Sequence, residues 1–155
     1  MDSEEKHGPT YFNRVFRHGV DEKRRVAVPA AWRPEQPGVE LTLVVWPKAK
    51  EGVCLRVLLP EKMADLVREM DALPNSDPGK VPLKRFIARE SAQVALDKAG
   101  RICLPENMAK VADIKGEAVM AGMLDKWEIW SPERYELLSK SDEAIAQEAF
   151  IRLME

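Results

Sequence analysis

Asp21-Glu22-Lys23-Arg24-Arg25-Val26-Ala27-Val28-Pro29 recurs as Asp97-Lys98-Ala99-Gly100-Arg101-Ile102-Cys103-Leu104-Pro105. Both stretches obey D-x-x-x-R-[VI]-x-[VL]-P. After the arginine, apolar and other residues alternate, the period of a strand with one buried face. A short run precedes each copy, Val15 to Val20 and Gln93 to Leu96. Strand, tight polar loop, strand predicts a hairpin. Gly100 supplies the positive φ that a three-residue hairpin loop favours. The first copy carries Arg24 there, and a side chain in that conformation costs about 1–2 kcal/mol. Arg24 therefore either strains its loop or uses a different turn; the strained loop predicts that Arg24→Gly raises the melting temperature.

A second pair of similar stretches follows in the same order. Cys54 to Lys62 and Trp127 to Arg134 each run from an apolar strand into Pro-Glu-basic and then a helical pattern. The repetition predicts two duplicated halves, residues 12–73 and 91–138. A linker over 74–90 contains the turn cluster Asn75 to Gly79 and a short helix, Leu83 to Arg89, with Pro82 at its start. A helical tail occupies 139–155. Further strands are expected at Leu41 to Trp46, Val53 to Leu58, Glu117 to Gly122 and Trp127 to Trp130. Helices begin at Pro60, with an apolar face of Met63, Leu66, Val67 and Met70, and at Ser131-Pro132-Glu133, a capping hydroxyl, a proline and an acid near the positive helix end. Ser139 to Asp142 is a candidate break in the second helix. The fold class is α+β, mainly β.

The chain has 155 residues, 45% of them apolar and 32% charged. That composition supports one ordinary domain or two small units sharing a core. No apolar run is long enough for a membrane span, and the polar opening residues lack the core of a signal peptide. A cytoplasmic location is expected. Cys54 and Cys103 match no metal-ligand spacing and, with two histidines in the chain, predict reduced thiols and no metal or other cofactor. Nucleophile elbow, phosphate loop, H-E-x-x-H and C-x-x-C motifs are all missing, so no catalytic residue and no small-molecule substrate are predicted.

The formal charge is −2, yet it is unevenly spread. From Arg14 to Arg33 six Lys/Arg stand against two acids; Lys80 to Arg89 holds four bases and no acid; from Ser131 onward six acids stand against three bases. A basic loop tip can hold phosphate oxygens or guanine edges through the arginine fork. It can equally be a solvated turn. Asp21 and Arg25 face each other across a loop neck, as do Asp97 and Arg101. The aspartate can fix the loop by accepting its N–H groups and can hold the arginine in place for a polyanion. Arg17, Lys84 and Arg85 read as surface positions. Trp32, Trp46, Trp127 and Trp130 fit core packing better than base stacking.

The two D-x-x-x-R copies, each followed by an alternating strand and a proline, with PE[KR]-led helices behind them, resemble the MraZ family of tandem SpoVT/AbrB-type DNA-binding regulators. The resemblance runs from about Phe12 to about Leu138 and includes Lys126-Trp127-Glu128-Ile129-Trp130-Ser131. It implies a swapped-hairpin β-barrel formed by two duplicated halves with helices packed outside. It also implies ring-shaped homo-oligomers on double-stranded DNA, binding direct repeats upstream of the division and cell-wall gene cluster, and hence nucleoid association. The resemblance puts Asp21, Arg25, Asp97 and Arg101 in the DNA-binding role; the basic tip residues Lys23, Arg24 and Lys98, and Arg14, are further candidates beside them. Arg24 stands where the family's first motif usually has glycine, and Phe12-Asn13-Arg14 where it usually has Phe-Arg-Gly. The rival reading is a protein-binding or antitoxin-like scaffolding module of the same fold, with the acidic helix from Ser131 as its handle.

Overall fold

The computed structural model describes residues 11–47 and 51–155. The described residues form eight strands and four α-helices, in chain order β1 (Val15–Gly19), β2 (Arg25–Ala27), β3 (Glu40–Pro47), β4 (Val53–Leu58), α1 (Pro60–Asp71), α2 (Lys80–Arg89), β5 (Ser91–Ala95), β6 (Arg101–Cys103), α3 (Glu106–Val111), β7 (Glu117–Gly122), β8 (Trp127–Trp130) and α4 (Pro132–Met154). Six strands form one antiparallel sheet in the order β1-β7-β8-β4-β3-β5, and β2 and β6 form a separate ribbon. The fold is α+β with its core built mainly on strands. Among the described residues no ladder joins β5 back to β1, so hydrogen bonding does not close the sheet into a barrel.

The two expected hairpins form only at their necks. Asp21 and Asp97 N–H donate to Arg25 and Arg101 C=O, at 3.1 and 2.8 Å. Beyond that the flanking strands separate. β1 pairs with β7, in the register Val15 with Ala121 to Gly19 with Glu117. β5 pairs with β3, and β2 with β6. Apolar alternation fixes which face of a strand is buried; it carries no information about the neighbour that supplies the ladder.

Alternation does govern the large sheet. Leu41, Leu43, Val45, Leu55, Val57, Met120 and Ile129 face a buried cluster completed by Val26 and Ile102 of the ribbon, Trp32 and α3. The opposite face carries the helices. Val44 and Leu58 meet Met70 of α1 and Ile87 of α2. Cys54, Val119, Ala121 and Trp130 meet Tyr135 and Leu138 of α4. Central strands covered on both faces explain why β3 reads as a nearly continuous apolar run. Trp32 packs on Trp127 with ring centroids 5.1 Å apart, consistent with packing.

Two helix boundaries differ from expectation, and two short helical elements were not expected. α4 runs unbroken through Ser139 to Asp142. Ser139 and Ser141 donate to the carbonyls of Glu136 and Leu138, so their hydroxyls bond back onto the helix that they could have interrupted. α2 starts at Lys80 and takes Pro82 into its first turn, where a missing N–H is harmless. α3, and a 3-10 turn at Ala30–Trp32, follow Pro105 and Pro29 and were not anticipated. Among the described residues no helix is long and apolar enough to cross a membrane.

Candidate nucleic-acid interface

The two D-x-x-x-R turns repeat bond for bond. Asp21 Oδ1 accepts from the N–H of Lys23 at 3.0 Å and of Arg25 at 2.8 Å, and Oδ2 from Arg25 Nε at 2.8 Å. Asp97 Oδ1 accepts from the N–H of Ala99 and of Arg101, both at 2.9 Å, and Oδ2 from Arg101 Nε at 2.9 Å. The N–H of Arg24 returns to Asp21 C=O and that of Gly100 to Asp97 C=O, each at 2.9 Å. An aspartate suits the position because one short side chain satisfies two turn donors and a guanidinium edge together.

These bonds hold both carboxyls below the usual range: first the backbone N–H of Arg25 or Arg101, then their side chains, against the opposing effect of burial. A depressed folded value means that each clamp stabilises the fold above the ordinary carboxyl value of 3.8. That contribution disappears as pH falls through the folded value.

The antiparallel ribbon fixes how the two arginines relate. Arg25 lies opposite Cys103 and Arg101 opposite Ala27. Val26 and Ile102, at 1% and 0% exposure, point inward; period-two alternation therefore turns Arg25, Ala27, Arg101 and Cys103 outward together. Arg25 and Arg101 are diagonal neighbours, a relation that spans about 7–8 Å. Each is about one-third exposed, at 35%. In each the aspartate engages only Nε. The two terminal nitrogens carry no hydrogen bond to another described residue, which leaves a forked donor edge facing solvent.

The remaining predicted residues divide. Arg24 holds the position in its turn that Gly100 holds in the other, with φ of 62° against 80°, so the strained-loop alternative holds. Its Nε reaches across the ribbon to Leu104 C=O at 2.9 Å. Lys23 and Lys98 are exposed on the two turns. Arg14 is not brought to them. It lies at the other end of β1, about 20 Å of extended chain from Asp21, again at positive φ, 78°. Its C=O accepts from Gly122 N–H at 2.9 Å.

One residue of this surface was not foreseen. Arg33 Nε donates to Val28 C=O at 2.8 Å, and its guanidinium covers Gly100 so closely that a Cβ there would overlap it. The signal was faint: the second copy has alanine, Ala109, at the matching position.

A family model described as "MraZ protein, putative antitoxin-like" matches residues 87–153. The chain is 35% identical to a protein of Herpetosiphon aurantiacus over 84% of its own length and 90% of the relative's. It is 31% identical to one of Thermomicrobium roseum, over 85% and 92%, and 32% identical to one of Roseiflexus castenholzii, over 82% and 86%. All three relatives are named transcriptional regulator MraZ. Identity at this level across nearly the whole of each relative, together with the duplicated D-x-x-x-R turns, establishes that the chain belongs to the MraZ family.

Proposed function

We propose that the protein is a transcriptional regulator, not an enzyme, that binds double-stranded DNA through the outward face of the β2–β6 ribbon. The observation that carries this reading is the pair of aspartate-clamped arginines, Arg25 and Arg101, side by side with terminal nitrogens that no other described residue engages. A guanidinium already held in place loses less rotamer freedom on meeting a phosphate or a guanine edge. Lys23, Arg24 and Lys98 extend the positive surface, with Asp21 and Asp97 as its clamps. Arg14 serves as a separate contact beyond the other end of β1.

The relatives' name supports the regulatory role, and the family resemblance supports the finer reading. In that reading several copies form a ring from swapped-hairpin units, facing direct repeats upstream of the division and cell-wall genes at the nucleoid. A few phosphate contacts per copy bind weakly and lose affinity steeply with salt. Several copies on spaced repeats gain effective concentration without new contacts. An acidic chain can then hold DNA through one basic face.

A second reading draws on α4. Past Leu138 it exposes Ile145, Phe150, Ile151, Leu153 and Met154, all at 60% or more, on an acidic helix. Such a helix suits contact with another protein or another copy. Charge reversal, Arg25→Glu with Arg101→Glu, separates the readings in a salt-titrated gel shift on the chain's own upstream DNA. DNA retention is expected to vanish while oligomer formation and protein contacts persist. Undiminished retention by the folded variant would falsify the DNA reading.

A further inference from the structure

Arg24 and Arg33 occupy unrelated places in the sequence and related places in the structure. The spacing from Asp21 to Asp97, 76 positions, also relates Val28 to Leu104 and Arg24 to Gly100. The ribbon obeys it: Val28 N–H donates to Gly100 C=O and Leu104 N–H to Arg24 C=O, both at 2.9 Å. The carbonyls of Val28 and Leu104 are therefore counterparts. Each accepts from an arginine Nε, that of Arg33 at 2.8 Å and that of Arg24 at 2.9 Å.

The arginines reach these equivalent carbonyls from non-equivalent positions. Over the second turn the space above Gly100 is filled by Arg33. Over the first turn the counterpart of Arg33 is Ala109, buried in α3, and Arg24 supplies a guanidinium from within the turn. Glycine in one turn and arginine in the other thus lead to one arrangement: a guanidinium at each end of the ribbon.

We infer that Arg24 and Arg33 form a second pair of contacts to duplex phosphates, flanking Arg25 and Arg101. This rests on the DNA-binding reading above. Three observations favour it over a purely structural cap. Capping a carbonyl takes one donor, and among the described residues both arginines use only Nε. Neither arginine has a carboxylate partner among the described residues; they share this with Arg14, Arg85, Arg134 and Arg152, whereas Arg17, Arg68 and Arg89 pair with Glu117, Asp65 and Glu90, and of the unpaired six only Arg24 and Arg33 bond to the ribbon's own carbonyls. Arg24 also holds a left-handed backbone, a strain that persists where surroundings or function require it. Phosphate is the chemistry that suits an uncompensated guanidinium at the ribbon's ends: its oxygens accept a forked pair of N–H groups and its charge is opposite.

Arg24→Gln and Arg33→Gln keep an amide donor for the carbonyl and remove the charge. Affinity is measured against salt for two duplexes, the chain's own upstream DNA and a mixed-sequence duplex. Each variant is expected to lower the slope of log K on log[salt] by about 0.9 per engaged copy, and the double variant by about twice that, on both duplexes. Native slopes in folded variants overturn the inference. So does a loss confined to the upstream duplex, which would make the pair base readers.

Should the glutamine variants unfold, arginine-selective modification of the native protein decides. Arg24 and Arg33 are expected to be shielded from phenylglyoxal by duplex, and equal reactivity with and without DNA overturns the proposal. If the native chain binds neither duplex, the DNA reading falls and takes this pair with it. If the native chain binds, the Arg25/Arg101 variant does not, and the glutamine variants keep their slopes, only the second pair falls.

Discussion

Arg24 and Gly100 share one backbone conformation with opposite consequences for substitution. At Arg24 a left-handed side chain costs about 1–2 kcal/mol. Arg24→Gly removes that strain, but it also removes the bond to Leu104 C=O, worth about 0.5–1.5 kcal/mol, and adds the chain entropy of glycine, about 0.5–1 kcal/mol. The sum lies close to zero, so the rise in melting temperature expected from strain alone gives way to a change within about 1 kcal/mol. Gly100→Ala adds the strain and displaces Arg33 from Val28 C=O, a loss of about 2 kcal/mol. Urea denaturation of both variants checks the pair; equal destabilisation would contradict the account. At this scale the aspartate clamps were legible, because Asp and Arg four apart across a turn have one obvious way to satisfy its donors. Arg33 was not, because its role depends on a turn 67 positions later, at Gly100.

Strands were legible where a short apolar run was bounded by turn residues, as in β3, β4, β7 and β8. Strand partners were not, since a strand's pattern names its buried face and leaves its neighbour open. The one charge within each of β4 and β8 was a clue of that missing kind. Arg56 and Glu128 are cross-strand partners in the register of β4 and β8. Arg56 donates from Nε at 3.0 Å and from a terminal nitrogen at 2.7 Å to Glu128 Oε2. Its guanidinium lies 4.1 Å from the centre of the Trp46 ring. Trp130 Nε1 donates to Glu128 Oε1 at 2.8 Å.

With side-chain exposures of 16% and 8%, this pair acts less as a net source of stability than as a specifier of register. Glu128→Ala leaves Arg56 buried without its counter-charge and Trp130 without its acceptor. A loss of about 3–5 kcal/mol is expected. Arg56→Met combined with Glu128→Leu is expected to recover most of it. Chemical denaturation of the single and double variants reads both; a double variant as unstable as the single one contradicts the register role.

Across the whole molecule, strands from early and late in the chain lie beside one another. β1 is bound by β7, and β5 by β3. The basic ribbon is itself made of one strand from each D-x-x-x-R copy. Charge follows the same plan: a near-neutral total conceals one cationic face and an acidic final helix. Composition alone could not separate these, because the face is assembled from segments far apart in sequence.

That interleaving sets a timetable for synthesis. On the ribosome, Val15 to Gly19 emerge long before Glu117 to Ala121, their ladder partners. At about 5–20 residues per second the first strand waits on the order of 5–20 s without its neighbour. Phe16, which packs against the core once folded, is exposed to chaperones in that interval. Nascent chains stalled before Glu117 leaves the exit tunnel are expected to be cleaved by protease near Phe16, and chains stalled after Trp130 has cleared it to resist. Early resistance at Phe16 would mean that the first strand finds a temporary partner closer at hand.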